Sequence, residues 1–236
     1  MTGLLGDLEA TADPARFFLG TYLRTTVAVR AALERGGFED PAWVAAWDVD
    51  FAELYLGALT AYRADPATAA GPWRRAFAAR SDLPPEAHVL LGMNAHINYD
   101  LPQSLIRMIP IADFADSDVV DLRHRDHVRI DRVLASRVAA EDVALQGAGG
   151  RRTPLDRLLA PLNRRASRIF LREARRRVWA TTTVLHEARR RGAANYAARL
   201  YDLESVSADR IEDILRPGPV LLRLAVRGFG VTLPPR

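Results

Sequence analysis

The chain has 236 residues, 49% of them hydrophobic and 26% charged, a balance that suits a folded domain with a substantial core. It contains no cysteine, which excludes disulfides, thiolate nucleophiles, iron–sulfur clusters and cysteine-ligated zinc. All 33 of its basic residues are arginine, so a Schiff-base lysine and a Walker-type phosphate loop are excluded as well, although the formal charge is +4.

Alternating strand patterns are scarce, and helix starts built from a cap followed by proline recur. Asp13-Pro14 opens a helix to about Arg35, which Gly36-Gly37 ends. Asp40-Pro41 opens another that runs through DFAELYLGALTAYR to about residue 64. Gly71-Pro72 starts a short helix, and Pro84-Pro85 starts one that Asp100-Leu-Pro102 is expected to interrupt, because proline disfavours the helical conformation in the residue before it. A further short helix is expected to Ile109, then a long one capped by Asp118 to about Asp142. QGAGGRRTP, residues 146–154, reads as a flexible loop. Helices over 154–163 and 164–191, two shorter ones to Leu215 and an apolar one after Pro217-Gly218-Pro219 complete the expectation. The fold class is all-α, a single domain of roughly nine to eleven helices.

Charge is segregated. Residues 1–150 hold 14 Arg against 21 acids, whereas 151–191 hold 13 Arg against 3. Neither a signal peptide nor an apolar run long enough to span a bilayer is evident, and a cytoplasmic protein is expected. The Arg- and Ala-rich composition also suits a high-GC bacterial genome.

The stretch LLGMNAHINYDLPQSL, 90–105, departs from a one-sided helix pattern. His96 and Asp100 are one turn apart on one row, while Asn94 and Asn98 form a second row on roughly the opposite side. Apolar residues separate the rows, so this helix is expected at the centre of the fold with structure on both sides. His88 lies two turns before His96, with Gly92 between them. A His nitrogen and a carboxylate oxygen one turn apart can converge on a divalent ion such as Zn, Mn or Fe. His127 and Asp131, a second pair at the same spacing in RHRDHVRID, could complete such a site, as could His88. Asn94 and Asn98 would then orient the ligands, and Tyr99 and Glu53 are candidates for proton transfer. The other reading is a structural clamp, with Asp100 accepting from His96 and the two Asn satisfying backbone groups.

The spacing resembles the H-x-x-x-D pairs of zinc-dependent phospholipase C and the S1/P1 nucleases, which are also all-α. That resemblance implies a metal-activated water acting on a phosphoester. The longer string GMNAHINYDLP, with HVLLG before it, RTT at 24–26, FAELYL at 51–56 and DHVRIDRVLA at 126–135, resembles an uncharacterised all-helical family of actinobacteria and related bacteria. It implies a helical fold over most of the chain and no particular activity.

Arg168, Arg172, Arg175 and Arg176 fall on one face of the basic segment and could hold an anionic small molecule or track phosphates. The acidic first 150 residues offer those arginines a nearer partner than nucleic acid does. Three function classes therefore stand at this point: a metal-dependent hydrolase of an anionic substrate, a non-catalytic helical protein held by a buried polar network, and an anion-binding module.

Overall fold

The computed structural model describes residues 1–147, 154–217 and 228–235, and side chains outside 135–171. In chain order the helices are α1 (Thr2–Ala10), α2 (Ala15–Glu34), α3 (Pro41–Ala64), α4 (Gly71–Phe77), α5 (Pro85–Ala95), α6 (Leu101–Met108), α7 (Ser117–Gly147), α8 (Pro154–Arg190) and α9 (Ala193–Leu215). Short 3-10 turns occupy Pro66–Thr68 and Asp113–Ala115, and the described residues contain no strand. The fold is all-α.

The Asp-Pro starts behave as the local chemistry requires. Asp13 Oδ1 accepts from the Ala15 amide at 2.8 Å, and Asp40 Oδ1 accepts from the Trp43 amide at 3.0 Å with Pro41 in the first helical turn. Gly36 ends α2 with φ +69, and the Gly37 amide donates back to Ala32 O at 2.9 Å. The start of α3 is also held from afar. Both oxygens of the fully buried Asp126 carboxylate accept backbone amides, from Glu39 and Asp40, each at 2.8 Å.

Several expectations are corrected. Asp116, not Asp118, caps α7, its Oδ1 accepting from the amides of Asp118 and Val119. Residues 154–190 form one helix and 193–215 another, where two were expected in each segment. Helix α1 was not anticipated. The loop expected at 146–154 and the apolar helix after Pro219 fall mostly outside the described residues, and residues 228–235, which are described, are not helical.

The most informative correction concerns Pro102. The chain does not break there: α5 passes into α6 through a π-helical turn, His96–Asp100, in which the Leu101 amide donates to His96 O. Pro102 has no amide hydrogen, and its ring would press on the carbonyl four residues back in a regular helix. One extra residue in the turn relieves both problems and lets the rod continue. The α5–α6 rod is thus a single element, which leaves eight helices among the described residues, slightly below the expected range.

That rod is central. Helix α5 packs on α2, α4 and α9, and α6 packs on α3 and α8, with α7 closing over α2 and α8. Asn94, His96, Asn98 and Asp100 are each no more than 2% exposed, so both polar rows face protein.

Candidate functional site

On the first row, His96 Nδ1 lies 2.8 Å from Asp100 Oδ2, and the same oxygen accepts from Trp73 Nε1 at 2.9 Å. Indole N–H is only a donor, so Asp100 is an acceptor here, and the matching tautomer of neutral His96 carries its proton on Nδ1. Burial lowers the His96 pKa against the opposing pull of Asp100, and burial raises that of Asp100 against the N–H bonds it receives. His96 is accordingly a neutral imidazole whose Nε2 holds a lone pair and has no hydrogen-bond partner among the described residues.

An aromatic shell surrounds this ring. Phe51 stacks on it at 3.6 Å between centroids and 7° between planes, and Tyr22 meets it edge-on at 4.6 Å. Phe18, Tyr55 and Trp73 stand 5.8–6.1 Å away. Phe18 reaches the rod because residue 92 is glycine. A Cβ there would lie 2.4 Å from Phe18 Cγ. Gly92 therefore admits an aromatic ring from α2 rather than joining His88 to His96.

Beside the shell lies a cavity of about 100 Å³ between α2, α3 and the α5–α6 rod, with contributions from α7 and α8. Its walls are largely apolar, including Phe18, Val44, Phe51 and Ile97. Three buried polar atoms on the same walls, His96 Nε2, Tyr22 Oη and Trp47 Nε1, stand without a hydrogen-bond partner among the described residues, and the half-buried Asp48 carboxylate there has no ion pair among them either. Buried polar groups are nearly always paired, so three unpaired around one cavity mark it out. Burial pushes the Asp48 carboxyl from 3.8 up to about 6, and burial together with the charges of Asp48 and Asp100 drives the Tyr22 phenol well above its ordinary value. Arg175 also lines the cavity, but its guanidinium is bound by Asp131 and the His127 carbonyl.

The second row has a different task. Asn94 Nδ2 donates to Leu90 O at 3.0 Å, and Asn98 Nδ2 donates to Asn94 Oδ1 at 3.0 Å and to Phe229 O at 3.1 Å. Asn98 thereby ties the segment around Phe229 to the rod across 131 residues of sequence.

The remaining expected site residues do not gather around His96 and Asp100. His127 is 1% exposed among Trp47, Trp179 and His124, with both ring nitrogens unpartnered, and burial together with Arg175 holds its pKa well below 6.5. Asp131 faces Arg175 instead of His127. His88 stacks on Phe17 and lines a separate cavity of about 260 Å³ with Tyr62, Phe77 and the Asp13–Arg63 ion pair. Glu53 is exposed on α3, and Tyr99 packs in the apolar core with burial pushing its pKa up to about 12. Of the four arginines, Arg172 and Arg176 are exposed, Arg175 is buried, and the Arg168 side chain lies outside the described residues. Among the described residues no three His, Asp or Glu side chains come close enough together to hold a metal ion.

Tyr22, Trp47, Asp48, Phe51 and Trp73 were not singled out from sequence. For Asp48 a signal existed: buried Val44, Trp47 and Tyr55 and partly buried Phe51 form the inward stripe of α3, and Asp48 falls on it, one turn after Val44. A carboxylate on an apolar stripe is the kind of position that function explains more readily than stability.

The model of a family of unknown function, DUF5995, matches residues 1–217. The chain belongs to this family. No curated protein and no solved structure matches the chain. The family span covers every element that builds the cavity, from α2 to α8. No helix among the described residues is long and apolar enough to cross a membrane.

Proposed function

We propose that this protein binds a small, mainly apolar molecule in the α2–α3–α5 cavity, with neutral His96 as its acid–base anchor and Asp100 as the residue that fixes the imidazole. The observation that carries this reading is the set of three buried, unpartnered polar atoms on the walls of one apolar cavity, with the half-buried Asp48 beside them. Ligand sites combine mostly hydrophobic walls with a few convergent polar groups. Leaving such groups unpaired costs stability, about 1–3 kcal/mol each by mutational experience, which a bound ligand would offset by pairing them. Asp100 orients His96 as a carboxylate orients a general base, holding Nδ1–H and presenting the Nε2 lone pair. Trp73 braces Asp100 in turn.

A metal-activated hydrolase is the less supported reading. Asp100 Oδ2 is already engaged by two N–H donors, and His127, His88 and Asp131 have other surroundings. The Asn94–Asn98 row favours the structural role proposed for the cluster, confined to that row, since its bonds run to backbone carbonyls and to each other.

Isobutanol, with five heavy atoms, is a suitable probe for a cavity of about 100 Å³. Long-range ¹⁵N–¹H spectra of the histidine rings should show His96 with its proton on Nδ1 and a shift of Nε2 as isobutanol is titrated. Thr25→Phe, which fills the cavity from α2, should abolish the shift while leaving the fold intact. No response of His96 at saturating isobutanol would overturn the reading. Stoichiometric metal in purified protein, lost on His96→Ala, would replace it with the hydrolase.

A further inference from the structure

The cavity has a charge preference as well as a shape. Asp48 stands on its wall with no hydrogen bond or ion pair among the described residues, in a chain with 33 arginines available to pair with it. It shares that wall with the rings of Phe18, Tyr22, Trp47 and Phe51, and its charge acts on the Tyr22 phenol. An aromatic face is negative, and it attracts a cation held against it. A carboxylate on a cavity wall shared with aromatic rings suits a cationic group by both of its components. Arg175, a cation on the cavity wall, is already neutralised by Asp131, so it does not cancel that field.

We propose that the ligand of this cavity is a small amine, bound as its ammonium ion with the charged nitrogen against Asp48 and the aromatic rings and its apolar body along Val44, Ile97 and Leu101. The proposal rests on the cavity being a binding site and specifies what enters it. A metal cation is not the occupant the geometry favours, because no three His, Asp or Glu side chains gather there among the described residues. An inorganic cation would also gain nothing from the apolar wall. An anion would meet Asp48 without compensation. The raised Asp48 pKa has the same meaning: the carboxylate lacks a counter-charge, and an ammonium ion supplies one.

The test uses three probes of one skeleton at pH 7.5: isobutylamine, isobutanol and isobutyrate, each titrated into the full-length protein and followed by the His96 and Trp47 side-chain resonances. Isobutylamine should bind about tenfold more tightly than isobutanol, a typical gain for a desolvated cation–aromatic contact with a carboxylate behind it. Isobutyrate should bind more weakly than isobutanol. In Asp48→Asn the amine's advantage should disappear, with circular dichroism showing that the variant is folded. If isobutanol binds and isobutylamine binds no more tightly, the amine assignment is overturned and the cavity remains a binding site. The same conclusion follows if Asp48→Asn keeps the amine's advantage. If none of the three binds, the binding-site reading falls and the amine assignment with it. The wild-type comparison alone decides the matter should Asp48→Asn fail to fold.

Discussion

Asp48→Asn should make the folded protein more stable, even though it removes a charged residue that the chain has kept on a buried stripe. A carboxyl whose pKa rises from 3.8 to about 6 on folding is ionised at a cost. At neutral pH that difference corresponds to about 3 kcal/mol as a ceiling. Asparagine also buries an amide without a partner, so the net gain is about 1–2 kcal/mol. For a chain of this length that is an increase in Tm of about 3–6 °C. The pH dependence has a definite sign. Above about pH 6 Asp48 is ionised in both states and its full cost is present. As pH falls towards 3.8 the folded carboxyl takes up its proton first, and the cost disappears. Scanning calorimetry of wild type and variant at pH 7.5 and pH 4.5 should therefore show a gain at the higher pH that shrinks at the lower. A destabilised Asp48→Asn at pH 7.5, or an equal gain at both pH values, would refute the claim that Asp48 is an unpaired, desolvated carboxylate.

Gly92→Ala should destabilise by about 2 kcal/mol or more, because its Cβ would sit 2.4 Å from Phe18 Cγ in a packed core, and urea denaturation reads this directly. Asp100→Ala should cost about 3 kcal/mol, since it strands the N–H groups of His96 and Trp73 together, and Trp73→Phe should cost about 1–2 kcal/mol. His127 is neutral when folded and protonates near 6.5 when unfolded, so stability should fall as pH drops below 6.5. Its share of that slope is about 1.4 kcal/mol per pH unit, and urea midpoints of His127→Leu between pH 6.5 and 5 should show a slope reduced by that amount.

What the sequence determined by itself is what short-range chemistry controls. Caps at Asp13 and Asp40, the Gly36 stop and the apolar periodicity all act within one or two helical turns, so they place α2 and α3 within a residue or two of their observed bounds. The two polar rows of the rod were legible for the same reason: His96–Asp100 and Asn94–Asn98 are one-turn pairs, and both form their hydrogen bonds in the fold. Even here local rules reach a limit at Pro102, where packing on α3 and α8 favours a continuous rod and a π turn absorbs the proline. What faces each row was decided only by tertiary structure. Trp73 reaches Asp100 across 27 residues, Phe229 reaches Asn98 across 131, and Phe18, Tyr22 and Phe51 come from two other helices to enclose His96. His127 and Asp131 have the spacing of a ligand pair, but Arg175 from α8 takes the carboxylate. Spacing within a helix says which side chains can meet each other. Burial against other helices says what they meet instead, because most desolvated polar groups take a partner from another element, whereas three at the cavity beside His96 find none among the described residues.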